Sequence, residues 1–117
     1  DLPEGLVNLA AIHTKRGERD EAWKLLQRAH ALLPRNAVVN YNCGLAAAAR
    51  GDALAAIAYY DAALEADPTY EKARANLGAL KCRFGDIEGA KRELSVIKDS
   101  GGVTGPDVDP EWKTCNR

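Results

Sequence analysis

The sequence predicts an all-α fold, a solenoid of three antiparallel helix-turn-helix hairpins followed by an irregular C-terminal tail. Displacing the 117-residue sequence by 34 positions superimposes Gly17 on Gly51 and Gly85, Ala22 on Ala56 and Ala90, and Asn8 on Asn42 and Asn76, the self-similarity of a repeat architecture. Each repeated glycine precedes an acid, in Gly17-Glu18, Gly51-Asp52 and Gly85-Asp86. An amphipathic stretch of helical length flanks each of these pairs on both sides.

The elements follow in order. Glycine accepts the left-handed conformation that ends a helix, and the acid after it favours the N-terminal dipole of the next. Helices are therefore expected over 3–16, 20–33, 37–50, 54–67, 71–84 and 88–98, with Pro34 and Pro68 closing the second helices of the first two hairpins. The units run 3–36, 37–70 and 71–99, and residues 100–117 form a tail containing glycine and proline. Ala22, Ala56 and Ala90, with Ala29 and Ala63, put small side chains where paired helices cross closely. Leu9, Leu26, Leu45, Tyr60, Leu77 and Leu94 are expected to fill the spaces between layers.

Composition bounds the function. Hydrophobic residues make up 46% and charged residues 28%, a globular balance with no apolar run long enough to cross a bilayer, so no membrane insertion is expected. Sixteen Lys and Arg against seventeen Asp and Glu give a net charge of -1, so no global field draws the chain to nucleic acid. The sequence begins Asp-Leu-Pro, contains no Met and shows no leader, which suggests a piece of a longer protein and leaves its localisation open.

The unit resembles the tetratricopeptide repeat, whose 34 residues carry a loose W-x2-L-G-x2-Y, A-x3-F, A, P pattern. Gly44, Ala56, Tyr60, Ala63 and Pro68 match it in the middle unit, and Gly78, Ala90 and Leu94 match in the third. The resemblance covers residues 3–100. It departs at the aromatic positions, where Leu6, Asn40 and Arg74 replace Trp, and His13, Ala47 and Lys81 replace Tyr. It implies a right-handed solenoid in which the first helix of each unit lines a concave groove. The alanine-rich, methionine-free repeats point to a bacterial source, and the resemblance then implies a part in secretion, pilus, motility or envelope assembly.

The groove positions so implied are Glu4, Val7, Asn8, Ala11 and Lys15, then Val38, Tyr41, Asn42, Leu45 and Ala49, then Lys72, Ala75, Asn76, Ala79 and Arg83. A carboxamide both donates and accepts, as the backbone of an extended peptide requires. Asn8, Asn42 and Asn76 are therefore the candidate peptide-binding ladder, the alternative being that each bonds within its own helix or to water. Lys15, Lys72 and Arg83 offer charge to an acidic peptide, and Tyr41 offers a packing surface. Some members of the family clamp the C-terminal carboxylate of heat-shock chaperones. Only Asn42 and Lys72 match that clamp, and Val7, Ala11 and Asn76 replace its Lys, Asn and Arg.

No capping helix follows the third unit, so an open apolar end could support self-association. The tail contains Ser100-Gly101-Gly102 and Thr104-Gly105-Pro106, which break the repeat. Asp109-Pro110-Glu111 reads as a cap that opens a short turn at Trp112, which could carry the indole back onto the hairpin. The tail could equally be disordered, or lie in its own or a neighbour's groove in imitation of a ligand.

No HExxH, nucleophile elbow, phosphate loop or dinucleotide fingerprint occurs, and no metal site or cofactor is expected. His13 and His30 read as packing residues and Cys43 as a small buried hydrophobe. A Cys82–Cys115 bridge is conceivable in an oxidising compartment. The expected function is a non-catalytic module that binds an extended segment of a protein partner as a scaffold or adaptor. The alternative is a structural or oligomerisation segment of a longer solenoid.

Overall fold

The computed structural model describes residues 2–97, 103, 107–110 and 113. Regular structure among them is helical: α1 Pro3–Lys15, α2 Arg19–Leu32, α3 Ala37–Ala49, α4 Ala53–Ala66, α5 Glu71–Arg83 and α6 Ile87–Leu94. The first five match the expected spans to within a residue at either end. Two compact units form, Asp1–Pro68 with α1 to α4 and Thr69–Arg117 with α5 and α6.

One turn is built three times. Gly17, Gly51 and Gly85 take φ of 76°, 81° and 83°, the left-handed region that a side chain disfavours. Each glycine N–H donates three residues back, to Thr14, Ala48 and Cys82, at 3.0, 3.0 and 3.1 Å. The acid after it donates its N–H five residues back, to His13, Ala47 and Lys81, at 2.9, 2.9 and 2.8 Å. Together these make a Schellman motif that satisfies the last carbonyls of one helix and aims the next. Asp52 and Asp86 then cap the following helices, accepting from Ala55 and Gly89 N–H at 3.1 and 2.9 Å. The longer Glu18 makes no such cap and instead pairs with His13 at 3.3 Å across the turn.

In the first unit Leu6, Ala10, Ala22, Leu26, Ala29, Val39 and Cys43 form the core. Burying leucines of this kind contributes about 1.5–3 kcal/mol each. Tyr60 closes against Gly44, where an added Cβ would lie 2.5 Å from the ring. Tyr59 joins the unit's second helices, meeting Trp23 and His30 edge-on at 6.1 and 5.6 Å. At the Trp position of the second hairpin, Asn40 is fully buried and donates to the carbonyls of Pro34 and Asn36 at 3.0 and 2.9 Å. It thereby holds the loop that enters α3.

Two packing expectations need correction. Leu9 is 44% exposed: the equivalent Cys43 is covered by α2, where its thiol reaches the Leu26 carbonyl at 3.7 Å, whereas no helix precedes α1 among the described residues. The sixth helix, expected to reach residue 98, ends at Leu94. Ser95 Oγ donates to the Arg92 carbonyl at 3.0 Å and Ile97 N–H donates to Leu94 at 3.1 Å, which turns the chain off the helix axis.

In the second unit α5 and α6 pack through Gly78, where an added Cβ would lie 2.6 Å from Leu94. The aromatic positions of the repeat are here Arg74 and Lys81, which reach the two carboxylate oxygens of Glu93 at 3.2 and 3.7 Å. An ionic triad thus stands in place of an aromatic contact.

Candidate peptide-binding site

The first helix of the third hairpin, α5, carries the best-formed site. Lys72, Ala75, Asn76, Ala79 and Arg83 recur at three- and four-residue spacing, so they share one stripe of the helix. Alanines at 75 and 79 keep that stripe shallow, which lets a second backbone approach closely. Asp107, Val108 and Asp109 of the chain's own tail lie on it.

Asn76 is 4% exposed. Its Nδ2 donates to the Asp107 carbonyl at 2.9 Å, and its Oδ1 accepts from the Asp109 N–H at 2.8 Å. One carboxamide therefore satisfies the two backbone groups that flank Val108, at a bend in the tail. With both groups bonded, Val108 points inward and is 8% exposed. It packs with Ala75, Ala79, Leu94 and Val103, and Ile97 borders the cluster. Lys72 Nζ lies 3.7 Å from Asp107 Oδ1 at one end of the stripe, and Arg83 pairs with Asp109 Oδ2 at the other. The segment thus runs in the same direction as α5. Both cations are about half exposed, 45% and 48%, so each pair contributes at most about 1 kcal/mol. The backbone bonds and Val108 dominate.

The other predicted site residues differ in environment. Asn8 and Lys15 are exposed on α1. Asn42 is half-buried and donates to the Val38 carbonyl of its own helix at 2.8 Å. Tyr41 corrects the expectation of an open packing surface: it is 2% exposed and packs on Tyr60 with ring centroids 5.9 Å apart, so its ring belongs to the core. Trp112, whose return onto the hairpin was one of the readings of the tail, lies outside the described residues. Val103 and Val108 are buried with Ala75, Ala79 and Leu94. They were missed because they sit outside the 34-residue period, although an acid-valine-acid triplet opposite Lys72 and Arg83 is a legible signal.

Cys43 is free and buried, and burial pushes its thiol up from 9.0 to about 12. Cys82, one residue from Arg83, is disulfide-bonded, and Cys115 lies outside the described residues. No cluster of His, Cys, Asp or Glu among the described residues could hold a metal ion, and no helix there is long and apolar enough to cross a membrane.

The chain is similar to several known proteins. The chain is 35% identical over 82 residues to the TPR repeat-containing thioredoxin TTL4 of Arabidopsis thaliana, covering 70% of this chain and 12% of that protein. It is 34% identical over 92 residues to the probable biofilm formation methyltransferase WspC of Pseudomonas putida, covering 79% of this chain and 21% of that protein. It therefore spans a small part of both relatives. Among solved structures, the Sgt2 TPR domain from Aspergillus fumigatus superimposes with a TM-score of 0.80 at 24% identity, covering 97% of this chain and 74% of that one. The second TPR domain of human RPAP3, in complex with the HSP70 peptide SGPTIEEVD, gives 0.77 at 19% identity, covering 97% and 94%. The first TPR of Spaghetti (RPAP3), bound to the HSP90 peptide SRMEEVD, gives 0.75 at 22%, covering 80% and 74%. At these identities the structures speak for the fold. The family model described as Tetratricopeptide repeat matches residues 47–109, more than half of the sequence, and the chain belongs to the tetratricopeptide repeat family.

Proposed function

We propose that this chain is a non-catalytic protein-protein interaction module that binds an extended segment of a partner along α5, as a scaffold or adaptor within a larger assembly. The observation that carries the reading is the Asn76 carboxamide, bonded on both sides to the backbone of the bent tail segment around Val108 at 2.9 and 2.8 Å. A surface that satisfies both backbone groups around one buried side chain is suited to any chain of matching shape, because the bonds ignore side-chain identity. Val108 and the two aspartates add the selectivity.

Two fold neighbours lend support. RPAP3 domains are seen with peptides whose sequences end in Glu-Val-Asp, an acid-valine-acid triplet like Asp107-Val108-Asp109. On the first unit, Asn8 and Asn42 are proposed as partner contacts in their own right, with Lys15 as an exposed cation for acidic residues.

The test is capture of partner from extracts of the source organism by the full chain, compared with its Asn76→Ala variant, each checked for helicity by circular dichroism. Loss of a specific partner in the folded variant supports the reading. Equal capture by both would remove α5 as the binding surface and favour a structural segment that binds through helix ends.

A further inference from the structure

We propose that the α5 stripe is selective for internal acid-aliphatic-acid segments, and that Asp107-Val108-Asp109 occupies it in cis as a pseudo-ligand that an external partner must displace. The inference rests on the peptide-binding reading above and goes beyond it by naming the partner's chemistry and a built-in competitor.

Four observations specify the chemistry. Val108 is buried among Ala75, Ala79 and Leu94, an apolar pocket that takes a short branched aliphatic side chain. The flanking acids meet a cation each, Lys72 with Asp107 and Arg83 with Asp109, which sets the charge pattern on either side of the buried residue. The readout between them is of backbone, through Asn76. Asp109 is followed by Pro110, so the recognised segment is internal and needs no terminal carboxylate.

The occupancy follows from tethering. Asp107 comes thirteen positions after Leu94, the end of α6, and both belong to the same compact unit. Covalent attachment at so small a sequence separation gives an effective concentration of about a millimolar. A free segment of identical sequence at micromolar concentration therefore loses to the tail. Weakening the tail without altering α5 exposes the site, and the apparent affinity for an external segment rises by the inverse of the open fraction.

The experiment uses the full chain and a fluorescein-labelled, C-terminally amidated peptide of sequence Val-Thr-Gly-Pro-Asp-Val-Asp-Pro, read by fluorescence anisotropy. Two tail variants are compared with the wild type: Val108→Asp, which removes the buried anchor, and the milder pair Asp107→Asn with Asp109→Asn, which keeps Val108 and guards against loss of folding. Both should bind the peptide about tenfold or more tighter than the wild type. Adding Asn76→Ala to either should abolish binding. A peptide ending in Glu-Val-Asp with a free carboxylate should bind no better than its amide. Equal binding to wild type and tail variants would overturn the pseudo-ligand while leaving peptide binding intact. No binding to any folded form would overturn both readings, and binding that requires the free carboxylate would overturn recognition of an internal segment.

Discussion

Replacing Gly44 by alanine sets two opposing terms against each other at one contact. An alanine Cβ at position 44 would lie 2.5 and 2.6 Å from two carbons of the Tyr60 ring and 3.1 Å from a third. Carbon atoms pack best at about 3.5–4.0 Å, so the ring must retreat by about 1 Å. It has nowhere to go, being 2% exposed and wedged against Tyr41. Such overpacking costs about 1–3 kcal/mol, while alanine in place of glycine gains about 1 kcal/mol of helix propensity. The net expectation is a loss of about 1 kcal/mol. In a Tyr60→Val background the δ and ε ring carbons are gone, and the same substitution should stabilise by about 1 kcal/mol. Urea unfolding followed by circular dichroism gives both differences, and the reversal of sign isolates the contact. A similar loss in both backgrounds would refute the packing argument.

Other outcomes follow from the same structure. Glu93→Ala removes the carboxylate that the half-buried Arg74 and Lys81 share and should cost about 1–3 kcal/mol in unfolding experiments, whereas Lys24→Ala, at the exposed Lys24–Glu21 pair, should change stability by less than about 0.5 kcal/mol. In thiol titration, the native unreduced chain should resist modification at Cys43, one thiol per chain should react in denaturant, and three after reduction. Burial raises the Cys43 thiol from 9.0 to about 12, so the unfolded state loses its proton first. Stability should fall as pH rises above about 9, at no more than about 1.4 kcal/mol per pH unit, and Cys43→Ala should remove that component of the decline.

The helical hairpins were legible because their determinants are local and periodic: a glycine-acid pair every 34 residues fixes the turn, and alanine spacing fixes the crossing. Asn76, Lys72 and Arg83 were legible as a stripe for the same reason. Tyr41 was misread because periodicity places it at a groove position, while its burial depends on Tyr60 from the next helix. What occupies the stripe was harder to see, since Val103 and Val108 lie beyond the last repeat and their burial depends on a long-range contact. The Arg74–Glu93–Lys81 triad was hidden likewise, because the family pattern marks those positions as departures without naming what compensates.

Amide hydrogen exchange at Asp109 measures the central claim most directly, since its N–H donates to Asn76 Oδ1 at 2.8 Å. The account predicts an amide protected well beyond the rate of an unstructured peptide in the wild type, with that protection lost in Asn76→Ala while the amides of α5 stay protected. Exchange of the wild-type Asp109 amide at the unstructured rate would contradict it.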